Sequence, residues 1–349
     1  MLIKTLTRPN FPKSLLTFIT SSDQQLLQSR DQAQEMEQEI KPKRPFCCSC
    51  SKPLKLCICS RFKSHHQSIN NSIAVTILQH SQEKNHPLNS TRIAALGLKN
   101  LRVFAVSDIH VDARFEIRLN KRSGEEISDA HLERIQKNGE RFDLDEEECV
   151  ISARMTKFGP TFTDISHLQC NQCHFKSPNF DEVLGSKVGE DAVLNGFVVK
   201  KLQVKQLGGG EISEDEEFEI SVPPGSALLY PTKKAVGAAA GFDFEVKNLI
   251  VLDGTWKKAK RLYHENPWLK LLPHLKLDPD RMSLYGEVRH QPKAGCLSTI
   301  ESIVFALKVF GEDGDGLDDL LEVFKSMIGD QIRCKDEKFR NMKSSNANP

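Results

Sequence analysis

The segment NLIVLDGTWKKAKRLYHEN, residues 248–266, constrains the fold of this chain more than any other stretch. Four apolar residues lead directly into Asp253, which predicts a buried β-strand, and Gly254 permits a tight turn into the helix predicted for TWKKAKRLYHEN. Further strands are predicted for SIAVTILQH, which ends at His80, and for RVFAVSDI and SALLYP, with a helix for NSTRIAALGLKNL. This alternation predicts an α/β fold with a mainly parallel sheet.

Polar residues follow three of the predicted strand ends. Tyr230 follows SALL, Asp253 closes NLIVLD, and Ser298 follows the segment that leads into GCLS. Open parallel sheets bind ligands at the carboxyl ends of their strands, so the three ends together predict a ligand site. Each residue alone also has a purely structural interpretation. Asp253 can cap a helix, Trp256 can pack in the core, and Ser298 has the spacing of a capping box with a following glutamate.

The cysteines are unevenly placed, because five of the ten lie within thirteen residues. They form a C-x-x-C pair and a C-x-C pair, which can supply four soft ligands to one tetrahedral zinc ion. The predicted ligands of this structural site are Cys47, Cys50, Cys57 and Cys59. Cys48 is the spare thiol. A second pair, Cys170 and Cys173, has histidines beside it, but ligands so local strain a tetrahedral site, and a polar loop is the favoured interpretation there.

Charge and hydropathy exclude several classes of protein. Lys and Arg number 48 against 47 Asp and Glu, so any site for a polyanion must be a local patch. The cations of the helix after Asp253 form such a patch, although a charge run is usually a solvated face. No apolar run approaches the ~20 residues of a membrane span. Clustered cysteines without a secretory segment indicate a reducing compartment, and we expect an intracellular protein of the nucleus or cytoplasm.

Composition divides the 349 residues into four parts. Residues 1–44 are expected to be a disordered leader, and the first 22, basic and free of acids, are also compatible with an organellar transit peptide. Residues 45–60 form the cysteine module, and 61–335 the main domain. A long charged insertion at about 112–222, with a strand in AVLNGFVVKKLQV, is expected to be partly flexible. Residues 336–349 are expected to be a disordered tail.

The ordered set of motifs resembles the DTW-domain family. The motifs are C-x-x-C, C-x-C, QHSQE, NSTR, LYP, DGTW, YGEVRHQP and LSTIES, within about residues 45–110 and 225–310. Ser302, where alanine is usual, Thr232, where serine is frequent, and the extra Cys48 depart mildly from the pattern. The resemblance implies a domain related to SPOUT RNA methyltransferases, with a C-terminal trefoil knot that holds S-adenosyl-L-methionine. It also implies transfer of the 3-amino-3-carboxypropyl group to N3 of a tRNA uridine, with release of 5′-methylthioadenosine.

The resemblance also implies roles for individual residues. Asp253 is the candidate general base. The candidate cofactor-binding residues are Tyr230, Pro231, Thr232, Gly254, Thr255, Trp256, Leu297, Ser298 and Thr299. The candidate contacts to tRNA phosphates are Lys257, Lys258, Lys260, Arg261 and Arg289.

Two other functions remain open at the level of sequence. A methyltransferase would use the same knot and the same cofactor but present the methyl group. A non-enzymatic, zinc-containing RNA-binding protein would bind tRNA without the cofactor, although such a protein needs no pocket at the strand ends. The expected partner is tRNA in each case, and no stable protein partner is predicted.

Overall fold

The computed structural model divides into the units Met1–Pro45 and Phe46–Pro349, and all residues described below except Pro45 belong to the second unit. The structure describes residues 45–63, 68–120, 149–156, 158–166, 186–206, 212–240, 244–277, 283–288, 295–312 and 314–345. Within these residues, none of the helices combines the length and apolar character that a membrane crossing needs.

A six-stranded sheet forms the centre of the fold, and every pairing within it is parallel. In spatial order its strands are β2 (Leu101–Val106), β1 (Ala74–His80), β10 (Asn248–Asp253), β8 (Ser226–Leu229), β11 (His274–Lys276) and β9 (Val236–Gly237). Every residue of β10 is buried, as its continuous apolar pattern predicts for an internal parallel strand. The predicted α/β fold with a parallel sheet is therefore confirmed.

Along the chain, an α-helix comes after β1, after β10 and after β11. The helices of the described residues are α1 (Thr91–Gly97), α2 (Lys187–Asn195), α3 (Trp256–Glu265), α4 (Thr299–Val309) and α5 (Gly314–Ser345). The start of α3 is capped by the Thr255 side chain, which accepts a hydrogen bond from the Lys258 backbone amide. The helix predicted after Asp253 is thus confirmed. α5 runs through residues 336–345, within the segment that the sequence analysis assigned to a tail.

Both faces of the parallel sheet are covered, and strand alternation sends successive side chains to opposite layers. Leu249 and Val251 of β10 pack with α1, α4 and α5 in one apolar cluster. Ile250 and Leu252 point the other way, into a cluster that contains Leu262 of α3. Helices and loops therefore shield the faces, and the carboxyl edge of the sheet is left for a site.

The described part of the region 112–222 forms a second sheet. Its order is β5 (Gly159–Ser166), β4 (Val150–Thr156), β3 (Asp112–Leu119), β6 (Phe197–Gln206) and β7 (Ile212–Val222), and all pairings are antiparallel. The strand predicted within AVLNGFVVKKLQV is only partly right, because α2 extends to Asn195 and β6 begins at Phe197. Gly196 joins them at φ +74°, where a Cβ would lie 2.5 Å from the Val222 carbonyl oxygen.

The third predicted strand end is different in the structure. Residues 295–298, which contain the GCLS motif, form no strand and lead directly into α4, while 289–294 lie outside the described residues. Two strand ends and one helix-entry loop therefore occupy the positions expected of three strands. The loop nevertheless lies beside the other two, because α4 packs against β10.

Candidate active site

Asp253 stands at the carboxyl end of β10 with both carboxylate oxygens hydrogen-bonded. Thr299 Oγ1 donates to Oδ1 at 2.5 Å, and Gln79 Nε2 donates to Oδ2 at 2.7 Å. Gln79 lies directly opposite Asp253 in the parallel pairing of β1 with β10. Asp253 is only 7% exposed, so its side chain is held in one orientation by two neutral donors.

A cavity of about 230 Å³ opens beside Asp253. It is lined by eight of the nine residues predicted to bind the cofactor: Tyr230, Pro231, Gly254, Thr255, Trp256, Leu297, Ser298 and Thr299. The ninth, Thr232, lines a neighbouring cavity instead. The structure thus brings the three separated motifs LYP, DGTW and LST to one place, as the sequence analysis expected, while their binding roles stay predictions.

The hydroxyls of the LST motif are used within the protein. Ser298 Oγ accepts from the Glu301 amide, and the Glu301 carboxylate accepts from the Ser298 amide, so the predicted capping box of α4 is confirmed. Glu301 also accepts from Ser283 Oγ and from the Leu284 amide. The box therefore fixes both the start of α4 and the segment that carries Tyr285, whose ring lines the cavity.

Gly254 lies in the bend between β10 and α3, as the sequence predicted, and close packing also favours glycine there. Its φ is not positive, but a Cβ there would lie 3.0 Å from Lys258 Cβ and 3.5 Å from His80 Cβ. Trp256 begins α3 with 42% of its surface exposed and lines the cavity, so the alternative that it packs in the core is wrong.

Sequence reasoning missed the two amides that organise the floor of the site. Gln79 Nε2 contacts Asn89 Oδ1 at 3.2 Å as well as Asp253, and Asn89 Nδ2 donates to the backbone carbonyls of Glu83 and Lys84. Both residues belong to recognised motifs, QHSQE and NSTR. Their positions in those motifs were the available signal, but only the sheet register places Gln79 against Asp253.

The cations of α3 divide into two groups. Lys258 Nζ pairs with Glu83 at 2.9 Å, and Arg261 pairs with Asp108 at 3.0 Å and with Glu265 at 2.7 Å. These two charges are balanced within the protein. Lys257 and Lys260 are exposed, and neither makes an ion pair with a described carboxylate. Arg289, the fifth predicted RNA contact, lies outside the described residues.

The four predicted zinc ligands meet in space. The sulfur atoms of Cys47, Cys50, Cys57 and Cys59 all lie within 4.8 Å of one another. The Cys47–Cys59 and Cys50–Cys57 sulfurs are 3.7 and 3.8 Å apart, close to the roughly 3.8 Å edge of a tetrahedron with Zn–S bonds of about 2.3 Å. Backbone hydrogen bonds from Cys50 and Ser49 lower the pKa of the Cys47 thiol to about 6. This donor set could bind a metal.

Cys48 is exposed and is not part of this cluster, as its spacing predicted. Cys170 and Cys173 lie outside the described residues.

Lys52 Nζ, within the cysteine module, donates to the Pro87 carbonyl at 2.9 Å. The cysteine module is therefore attached to the loop between β1 and α1, which also borders the cavity.

The DTW domain family matches residues 44–127 and 191–332, more than half of the chain. The chain therefore belongs to the DTW-domain family, as the resemblance indicated. The match also extends beyond the two segments that carried the resemblance, and it includes β3, β6 and β7. The second sheet is thus in part a component of the family domain.

The curated relatives cover a smaller portion. The mouse and Macaca fascicularis proteins named tRNA-uridine aminocarboxypropyltransferase 2 are each 28% identical over 131 residues, which is 36% of this chain and 44% of the relative. The Drosophila melanogaster protein of the same name is 37% identical over 87 residues, 25% of this chain and 34% of the relative. The chain thus spans less than half the length of these relatives. No solved structure gives a significant match.

Proposed function

We propose that this protein is a tRNA-uridine aminocarboxypropyltransferase. It transfers the 3-amino-3-carboxypropyl group of S-adenosyl-L-methionine to N3 of a tRNA uridine and releases 5′-methylthioadenosine. Membership of the DTW-domain family and the names of the three relatives support this activity. The observation that carries the proposal is the position of Asp253, an oriented carboxylate at the floor of a cavity where three family motifs converge.

The lining of the cavity fits the proposed donor. Apolar side chains such as Leu229, Leu277 and Leu297 alternate with polar groups that include Asp253 and Ser298. A nucleoside that carries a charged amino-acid tail requires this mixture of apolar and polar walls. The bound sulfonium supplies a carbon that is open to attack, with a neutral thioether as leaving group.

The residues of the chain supply position and a base. Uridine N3 carries a proton and is a poor nucleophile until that proton leaves. Asp253 accepts this proton, N3 forms the new bond to carbon, and the carbon–sulfur bond breaks with its electron pair on sulfur. Thr299 and Gln79 hold the carboxylate in line during this step, so the protein acts mainly by orientation.

Substrate RNA would approach along α3. Lys257 and Lys260 are exposed beside the cavity and have no described acid to neutralise them, so they suit phosphate contacts. Lys258 and Arg261 are paired with acids of the protein, so we assign them a smaller contribution to phosphate binding. We retain Arg289 as a further candidate contact.

The cysteine cluster is proposed to hold one structural Zn²⁺. With four thiolate ligands the ion would have no open position, so it would stabilise the module and take no part in transfer. We also propose the SPOUT-type trefoil knot for the C-terminal part. The non-sequential parallel order β1, β10, β8, β11 supports it, as does the return of α4 to the end of β10. An intracellular location, in the nucleus or cytoplasm, belongs to the same proposal.

Isotope-labelled S-adenosyl-L-methionine tests the proposed reaction directly. The full chain is incubated with tRNA and with S-adenosyl-L-methionine labelled either on the methyl carbon or on the carboxyl carbon. We expect only the carboxyl label to enter the RNA. Entry of the methyl label alone would establish a methyltransferase, and tRNA binding without either label would establish a binding protein.

The variant Asp253→Asn tests the proposed base. The amide keeps the size of the side chain but cannot accept the N3 proton, so we expect a loss of transfer of about 10²-fold or more. Thermal unfolding should stay close to that of the wild type. Full activity of this variant in the label assay would reject the role of Asp253.

A further inference from the structure

A second cavity, of about 750 Å³, adjoins the first one, and the proposed function does not use it. Its lining comes from α2, from the loop after β8, from α3 and from the segment that enters β11. These elements are distant in sequence, so no single motif describes this cavity. Thr232, the predicted cofactor residue missing from the first cavity, lies here.

The lining of the second cavity is positively charged. Lys233, Lys234 and Lys270 contribute three cations, against one carboxylate, that of Glu190. Lys233 and Lys234 are exposed, so their ammonium groups are available to a ligand. Burial and the charge of Lys234 lower the pKa of His274, another residue of the lining. A concave surface with this balance of charge attracts anions.

Two polar atoms of the lining residues have no partner in the part of the chain that the structure describes. Thr232 Oγ1 and His274 Nε2 are both covered and make no hydrogen bond to any described residue. A buried hydroxyl or imidazole nitrogen without a partner is unfavourable. A phosphate oxygen, reached after small side-chain movements, would accept a hydrogen bond from Thr232 Oγ1. Its negative charge would favour the protonated His274 ring, whose Nε2 would then donate to it as well.

The two cavities share one wall. Tyr230 lines the first cavity and stacks on Tyr263 of the second, with ring centroids 4.5 Å apart and an interplanar angle of 19°. Pro231 and Leu275 line the first cavity, while their chain neighbours Thr232 and His274 line the second. A ligand group in one cavity is therefore separated from the other by about one layer of side chains.

We propose that the second cavity binds a phosphodiester of the substrate RNA, next to the uridine held at Asp253. Consecutive nucleotides are covalently linked, so a uridine in the first cavity must place a neighbouring phosphate within one nucleotide of it. The shared wall, the lysine pair and the unpartnered polar atoms supply a place for that phosphate. This inference rests on the proposed function, since it assumes that the first cavity receives a nucleotide of RNA.

The double variant Lys233→Ala/Lys234→Ala tests the site in the full chain. Both side chains are exposed, so the fold should be kept, and thermal unfolding checks this. We expect tRNA affinity, measured by fluorescence anisotropy, to fall several-fold at low salt. The slope of log affinity against log salt should become shallower by about 1 to 2, because about 0.9 is lost for each phosphate contact.

The matched control removes the same charge elsewhere. Lys335→Ala/Lys338→Ala changes two exposed lysines of α5, distant in sequence from both cavities, and should leave affinity and slope at wild-type values. If the Lys233/Lys234 variant matches this control in both quantities, the proposal is wrong. The measurement needs no turnover, so it decides the second cavity even if the label assay shows no transfer.

A second measurement separates RNA from a free phosphate anion, which shares its chemistry. NMR signals of the His274 ring are followed during titration with uridylyl-uridine, with uridine and with inorganic phosphate. We expect the dinucleotide to shift the His274 signals and uridine, which lacks the phosphodiester, to leave them in place. A response to inorganic phosphate alone would reassign the cavity to a small anion and overturn the RNA assignment.

Discussion

At the scale of single residues, the local setting of Asp253 determines how it can act. An aspartate at the end of a buried strand needs partners, because an unsatisfied buried carboxylate is costly. Gln79 and Thr299 supply one donor to each oxygen, so the carboxylate is both stabilised and aimed. In the proposed reaction, Thr299 would therefore act through Asp253, as a positioning residue.

The variants Thr299→Val and Thr299→Ser test this positioning role. Valine keeps the shape but removes the donor, and a hydrogen bond to a charged group contributes about 1.5–3 kcal/mol. We expect kcat to fall roughly tenfold or more in the valine variant, with a smaller change in KM for S-adenosyl-L-methionine. Serine restores the hydroxyl and should restore kcat. If instead only KM for S-adenosyl-L-methionine rose, and by the same factor in both variants, Thr299 would contact S-adenosyl-L-methionine directly.

At the scale of elements, α3 supplies charges both to ion pairs within the protein and to its exposed surface. Four cations follow Asp253 within about one turn, yet Lys258 and Arg261 are held by acids from other elements. Only Lys257 and Lys260 stay exposed without a described acid. The cysteine module reaches the site through Lys52, whose ammonium group donates to the loop before α1.

The division of α3 predicts unequal effects of lysine removal on RNA binding. Lys257→Ala/Lys260→Ala should weaken tRNA binding and reduce the salt slope by about 2, since each lost phosphate contact removes about 0.9. Lys258→Ala should change the slope less, because its charge is already paired with Glu83. Anisotropy titrations over a range of salt concentration provide the measurement. Equal changes of slope per lysine would contradict this division.

Metal removal tests the cysteine module. The variant Cys50→Ser deletes the buried ligand of the cluster and should lose zinc, measured by elemental analysis, together with several degrees of melting temperature. A chelator should destabilise the wild type similarly and have little further effect on the variant. Cys48→Ser, one exposed thiol outside the cluster, is the control and should keep the metal. Full zinc content in Cys50→Ser would rule out the four-thiolate site.

At the scale of the whole molecule, a buried ion pair within the second sheet contacts the chain at the edge of the parallel sheet. Lys201 of β6 is fully buried, pairs with Glu217 at 2.7 Å and donates to the Ser107 carbonyl at 3.2 Å. Ser107 follows β2, and its neighbour Asp108 contacts both His80 and Arg261. The insertion that was expected to be partly flexible thus packs, in its described part, against the edge of the parallel sheet through a charged network.

Breaking this pair should destabilise the protein strongly. Glu217→Ala leaves the Lys201 ammonium buried without its carboxylate, and we expect a loss of about 3–5 kcal/mol in the free energy of unfolding. The adjacent pair Lys200–Glu216 is more exposed, so Glu216→Ala should cost no more than about 1 kcal/mol. Urea denaturation measures both. Similar losses of unfolding free energy in the two variants would show that the buried pair stabilises the protein no more than the exposed pair does.

The sequence by itself determined those elements of this protein that depend on local pattern. Apolar runs and helix starts are set by neighbouring residues, so β1, β10, α3 and the capping box of α4 follow from local pattern. Cysteine spacing likewise determined the four-thiol cluster, since the two pairs lie within one short loop. Family motifs placed most of the cavity residues in advance.

Tertiary structure alone decided which distant groups meet. The contact of Gln79 with Asp253, the pairing of two α3 cations with acids, the second sheet and the shared wall of the two cavities depend on strand register and packing between segments far apart in the chain. A local pattern records which face of an element is apolar but not which element covers it. For this reason the sequence could single out Asp253 as the candidate base, while only the fold could show what holds its carboxylate and what lies beside it.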